Sequence, residues 1–334
     1  MTACPCLCST AMVAEHIEHQ YTAPNFDRWM YPFNFAAGER EVAPTFSSIG
    51  GGFDMFDDRD GQILLGFVTQ NEVPTNLSLQ QYSLSSISLQ ITLSNSGIVY
   101  DSTVDAWETF LVDSGITDKD PGRPMELFGT AFRGGYTGWT YGEDGAFPMG
   151  AVRGERNAYP IEYYGDQSTR DVSNNVLDAF TPAPFAVGQA EGFEEGAVMP
   201  SGTVLTFNLD VSDPDIQCYF RKSFQDGLVN LSLTSLHAAQ QPGIRGLIQP
   251  NFHMKESWAV QFELVNAAQL IIEVDVDQQS GPPADLDGDG VVGVSDVLFI
   301  LSEWGLCSCC PSDLNGDGEV NVSDLLSLIA AWDV

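Results

Sequence analysis

Through most of this chain apolar and polar residues alternate with a period of two. Ile87, Leu89, Ile91 and Leu93 take turns with Ser, Gln and Thr. Leu205, Phe207, Leu209 and Val211 repeat the pattern, as do Val229, Leu231 and Leu233. So do Trp258, Val260, Phe262 and Leu264, and then Leu270, Ile272, Val274 and Val276. Alternation of this kind predicts half-buried strands, and the Gly, Pro, Asn and Asp clusters between them predict turns. Few amphipathic helices are expected before residue 285. The expected fold is mainly β: a β-sandwich or jelly roll over residues 21–277, with a loop-rich insertion over roughly 101–200.

The period changes near the C-terminus. Val294, Val297, Leu298, Leu301 and Trp304 fall on one face of a helix, and Val322, Leu325, Leu326, Ile329 and Trp332 repeat that stripe. Before each helix stands a near-identical stretch, "DLDGDGVVGVSD" and "DLNGDGEVNVSD", with first residues Asp285 and Asp313, 28 positions apart. Read as calcium loops, the first offers Asp285, Asp287 and Asp289 at positions 1, 3 and 5, the Val291 carbonyl at 7 and Asp296 at 12. The second offers Asp313, Asn315, Asp317, the Glu319 carbonyl and Asp324. Gly290 and Gly318 supply the sharp turn at position 6. Hard oxygen ligands at this spacing suit Ca²⁺ and not zinc or copper, so two Ca²⁺ sites are expected. Neither unit has an entering helix, so the two stripes are expected to pair in a small α core. On that view Val294 and Val322 pack inward rather than meet a partner.

Charge narrows the partners. Thirteen basic residues against forty-six acidic ones give a net charge of −33, which excludes nucleic acid and disfavours anionic membrane surfaces. No apolar run is long enough to span a bilayer. Residues 1–20 form a separate N-terminal segment, in which Ala11-Met12-Val13-Ala14 reads equally as the end of a secretory signal or as plain disorder. Residues 278–284, opening "QQSGPP", read as a linker to a terminal module over 285–334. Cys307 is expected to pair with Cys310 or Cys309 in an oxidising compartment, and Cys218 to be a buried free thiol.

The duplicated loop-and-helix unit of residues 285–334 resembles a type I dockerin. The connection Trp304-Gly305-Leu306-Cys307-Ser308-Cys309-Cys310-Pro311 looks like the variant common in secreted planctomycete-type proteins. The resemblance implies two Ca²⁺ ions and docking to a cohesin-like domain or cell-surface protein. Loop positions 10 and 11, which carry a Ser-Thr pair in well-known dockerins, are Val294-Ser295 and Val322-Ser323 here. In the body, Arg59, Leu64-Leu65, Phe67, Pro74 and Ile87–Leu93, with Lys255-Glu256 and Leu270–Val274 near the end, resemble the frame of DNRLRE-type carbohydrate-binding modules. Val68 stands where that family has Asp, and the long insertion is foreign to it.

The insertion carries Phe132, Tyr136, Trp139, Tyr141 and Phe147 beside Arg133, Glu143 and Asp144. Aromatics beside carboxylates suit sugar rings, so polysaccharide is an expected partner of 101–200; packing of these rings onto the sandwich is the favoured alternative. No nucleophile elbow, zinc helix or phosphate loop is present, and no catalytic residue is assigned. "FDMFDDRDG", Asp54 to Gly61, reads as a solvated turn ahead of a strand from Gln62 to Val68, with a structural Ca²⁺ as the alternative. His237 and His253 are expected to be satisfied by hydrogen bonds. The expected function is a secreted, non-catalytic β-sandwich that binds polysaccharide and docks through its terminal module. The rivals are a polysaccharide-degrading enzyme and a structural surface protein.

Overall fold

The period-two segments form the middle of two antiparallel sheets. They are seen in a computed structural model that describes residues 14–34, 36–49, 56–111, 114–147, 152–164, 168–240, 248–277, 284–307, 309–315 and 318–332. The first sheet has five strands, ordered Glu15–Tyr21, Gln269–Val276, Tyr82–Thr92, Val204–Asn208 and Gln189–Ala190. The second runs Ser168–Asp171, Ala158–Tyr164, Met125–Phe132, Leu228–Ser235, Arg59–Val68 and Phe26–Met30. Ala186–Val187 pairs with Met125–Phe132, and Phe46–Ser47 with Arg59–Val68.

Register decides which residues are buried. Leu89 lies opposite Phe207 on one side and Leu270 on the other, and Leu231 lies opposite Leu65 and Gly129. Successive side chains point to opposite faces, so one face of each sheet is apolar. Ile87, Leu89, Phe207, Leu270 and Ile272 meet Ile63, Leu65, Phe67, Leu231 and Leu233 in one core. Each such side chain contributes about 1.5–3 kcal/mol by leaving water. The chain is mainly β, in antiparallel sheets consistent with a β-sandwich.

Several expectations are corrected. The strand Glu15–Tyr21 carries the sheet ahead of residue 21, pairing with Gln269–Val276. Trp258, Val260, Phe262 and Leu264 form no strand: Trp258–Gln261 is one helical turn, and Trp258, Phe262 and Leu264 are exposed. A 13-residue helix, Pro214–Asp226, precedes the strand Leu228–Ser235. Asp213 caps it by accepting the Asp215 N–H, Pro214 opens it, and Gly227 closes it at φ 80°. Its Ile216, Tyr219, Phe220 and Phe224 join the core, and the Tyr219 hydroxyl accepts the Thr130 N–H at 2.8 Å.

The "FDDRDG" stretch is no solvated turn. Asp57, Asp58 and Asp60 are buried, and the strand begins at Arg59 rather than Gln62. Asp57 pairs with the buried Arg156 at 2.5 Å, while its other oxygen accepts from Gly154 N and Asn174 Nδ2. Arg59 pairs with Glu126 and donates to Thr234 Oγ1 and Asn175 Oδ1 at 2.8 and 2.9 Å. Buried charges survive because each is matched and its remaining hydrogen-bonding capacity is used. Residues 1–13, Asp54 and 278–283 of the linker lie outside the described residues.

Cys218 is not a free thiol. It forms a disulfide with Cys309, and Cys307 pairs with Cys310. The first bond joins the helix Pro214–Asp226 to the segment between the two loop-and-helix units.

Candidate calcium loops and docking face

In the first loop, one carboxylate oxygen each of Asp285, Asp287 and Asp289 lies within 4.8 Å of the others. The same side chains hold the loop backbone. Asp285 accepts from Gly288 N and Gly290 N, both at 2.9 Å, Asp287 from Asp289 N at 3.0 Å and Asp289 from Val291 N at 2.8 Å. Gly290 sits at φ 89° and Gly318 at φ 86°, in the left-handed region that a side chain strains. Both position-6 glycines thus turn the chain as the spacing requires.

Asp296 and Asp324 at position 12 are fully buried. Asp296 accepts from Leu286 N, Asp287 N and Gly293 N, at 2.7, 3.1 and 2.7 Å. Burial opposes its charge, but these N–H groups outweigh it and hold the carboxyl below its ordinary value. The second loop repeats the pattern 28 residues on. Asp313 accepts from Gly318 N at 2.9 Å, and Asp324 from Asn315 N at 3.2 Å and Asn321 N at 2.8 Å. Asp317 lies outside the described residues. Glu319 belongs to a two-residue strand, Glu319–Val320, paired with Gly305–Leu306, and its carbonyl accepts from Asn321 Nδ2. Lys222 of the sandwich helix lies close to the second loop: burial lowers its ammonium and the Asp313 charge raises it.

The helices Val294–Ser302 and Val322–Ala330 use their stripes in an unexpected way. The small core beneath them consists of Ala284, Val292, Ile300, Val320 and Leu328, and only Val297 and Leu325 of the stripes pack against it. Val294, Leu298, Leu301 and Trp304 are 67, 61, 53 and 47% exposed. Their repeat-mates Val322, Leu326, Ile329 and Trp332 are 57, 59, 51 and 36% exposed. The packing reading of Val294 and Val322 is therefore overturned.

In the insertion, Tyr141 is buried with Met30, Leu64 and Ala158, and Phe132, Tyr136 and Phe147 pack against that cluster. Trp139 alone of the five rings is strongly exposed, at 43%. The segment 101–200 is thus no loop-rich insertion: it supplies the strands Met125–Phe132, Ala158–Tyr164 and Ser168–Asp171 of the second sheet, and its rings pack on that sheet beside Leu64. Beside them a groove of about 350 Å³ is lined by Arg28, Tyr31, Asn34, Glu39, Glu143 and Phe147, among others. The Arg28 Nε is buried there without a hydrogen-bond partner among the described residues. Asp27, Glu143 and Glu256 converge on Lys255, whose ammonium is 3.2 Å from Asp27, 2.7 Å from Glu256 and also paired with Glu143. Burial pushes Asp27 up to about 6, against the pull of Lys255.

His253 bonds Ser257 Oγ at 3.0 Å through Nδ1, as expected. His237 does not follow expectation: it is buried, and both ring nitrogens lack a partner among the described residues. It lines a cavity of about 420 Å³ with Ser47, Thr109, Phe110 and Arg123. Burial, then the Arg123 charge, pushes its imidazole down to about 3. Sequence reasoning named His237, Lys255 and Cys218 singly but missed the cavity around His237, the Asp27–Lys255 cluster and the Cys218–Cys309 pairing, because none has a local spacing signature.

Among the described residues no helix is long and apolar enough to cross a membrane. No protein-family model, curated protein or solved structure matches the chain.

Proposed function

We propose that the chain is a secreted, non-catalytic β-sandwich protein attached to a cohesin-like or cell-surface partner by a calcium-dependent C-terminal module. One observation carries the reading. Two short helices, each with the tryptophan just past its end, present the same four apolar positions to solvent, in duplicate, where a folded domain would normally bury them. Nothing in the small core needs these side chains, so their free energy is gained on association.

The loops fit the metal by donor chemistry. Asp285, Asp287, Asp289 and the Val291 carbonyl, and Asp313, Asn315, Asp317 and the Glu319 carbonyl, would hold Ca²⁺, with Asp296 and Asp324 at the loop ends. Bound calcium would offset the charge crowded into each loop and steady the helix that follows. The disulfides Cys218–Cys309 and Cys307–Cys310 suit an oxidising, extracellular compartment.

Surface plasmon resonance on a panel of immobilised cohesin domains tests this. The chain should bind in calcium and be released by EDTA. Leu298→Ser with Leu326→Ser should weaken binding at least tenfold while circular dichroism stays unchanged. Binding indifferent to chelation and to both substitutions would sink the reading, and silence across the panel would sink the partner class.

A second reading concerns the groove beside Arg28. Its unpartnered Nε and the neighbouring carboxylates and rings suit the hydroxyls and apolar faces of a neutral polysaccharide. Lys255 engages the adjacent carboxylates, which supports binding over turnover. Affinity electrophoresis through neutral polysaccharides should show retardation without new reducing ends, and Asn34→Ala should reduce it. New reducing ends would make the chain an enzyme.

A further inference from the structure

The connection between the strands Ile98–Val99 and Met125–Phe132 has one 3-10 turn among its described residues, Trp107–Phe110. Connections this long are usually disordered or functional. This one is dense in carboxylates. One oxygen each of Asp101, Asp105 and Asp120 lies within 4.8 Å of the others. Asp118 stands beside them, sharing Arg123 Nη1 with Asp105 at 2.6 and 2.7 Å. Glu195 accepts the Ser102 N–H at 3.2 Å. Arg123 is the single cation in an ion pair with this group among the described residues.

An independent observation comes from Asp101, which is fully buried. Its Oδ1 accepts from Thr103 N at 2.8 Å and lies 3.0 Å from Thr103 Oγ1. Its Oδ2 is buried with no hydrogen-bond partner among the described residues. The Thr103 hydroxyl also lies 2.7 Å from Asp120 Oδ2, yet its one proton serves one oxygen at a time. Buried carboxylate oxygens are nearly always partnered, so an orphan signals a missing positive ligand or a proton. Burial pushes the Asp101 carboxyl up to about 6, against the Thr103 bonds.

A proton would neutralise one carboxylate, and Arg123 is shared between Asp105 and Asp118. A divalent cation relieves all three at once. The donors are oxygen only, which selects a hard ion of the calcium class over zinc or copper.

We propose that Asp101, Asp105 and Asp120 form a calcium site in the sandwich body, separate from the C-terminal loops, that pins the connection over residues 100–124. Asp101 is its buried anchor. Asp120, only half buried, is the side from which the ion enters.

Calcium binding to the full chain, measured by equilibrium dialysis with calcium chloride, provides the test. Asp285→Ala with Asp313→Ala disables the terminal loops, and one equivalent should remain bound. Adding Asp120→Asn should weaken that equivalent at least tenfold. Asp120 is exposed enough for the fold to survive, which circular dichroism checks. Asp118→Asn, beyond the three ligands, should weaken it less. Loss of all binding in the double variant, or an equivalent indifferent to Asp120→Asn, overturns the proposal. Because the terminal loops are already disabled, their own failure to bind calcium would leave this result intact.

Discussion

The Cys218–Cys309 bond closes a loop of 91 residues, whereas Cys307–Cys310 spans 3. A cross-link stabilises mainly by restricting the unfolded chain, and the restriction grows with the logarithm of loop length. The loop-closure relation gives about 4.6 kcal/mol for the 91-residue loop and about 1.6 kcal/mol for the 3-residue one. Cys218→Ala with Cys309→Ala should therefore destabilise the chain more than Cys307→Ala with Cys310→Ala, by up to about 3 kcal/mol. Urea unfolding in excess calcium, followed by tryptophan fluorescence, measures both. Reduced wild-type protein, with its side chains intact, should lose nearly the sum. Mass mapping of the unreduced chain must first recover a peptide joining residues 218 and 309. A reversed order of the two variants, or alkylation of Cys218 without reduction, would refute the reasoning.

Two further outcomes follow from buried charge. Glu126→Ala leaves the Arg59 guanidinium, 1% exposed, with Thr234 and Asn175 as its remaining acceptors among the described residues; stability should fall by about 3–5 kcal/mol, against about 1.5–3 for Glu126→Gln, by urea titration. For His237, the folded pKa of about 3 lies below the ordinary 6.5. The folded state thus binds fewer protons between these values, and its stability is full above 6.5 and lost as pH falls toward 3. The slope from this one group is about 1.4 kcal/mol per pH unit, and the difference between wild type and His237→Gln, followed from pH 7 to 4, should show it; parallel profiles would refute it.

The reach of the sequence was set by which signals are local. Alternation along Ile87–Leu93 and Leu270–Val276 marks the strands because a pleated strand exposes every second side chain to one face. The two loops stand out because ligand spacing is contained within twelve residues. The helix Pro214–Asp226 was also legible, in the Asp213-Pro214 start and the Gly227 stop, but alternation on either side masked it. The segment Trp258–Leu264 misled for the converse reason: its period is right, yet Ser257 caps a helical turn there and no strand pairs with it.

What only tertiary structure decided is which partner each polar group meets. Arg156 lies about a hundred residues from Asp57 in the chain, and Arg59 pairs with Glu126 on a neighbouring part of the same sheet. Such pairs depend on strand order, which no local pattern encodes. The apolar stripes of the two terminal helices could be read from sequence, but not their direction. Ile300 and Leu328 fill the small core, and of the stripe residues only Val297 and Leu325 pack against it. The sequence determined that a helix face was apolar; the packing beneath it determined that most of that face was left exposed.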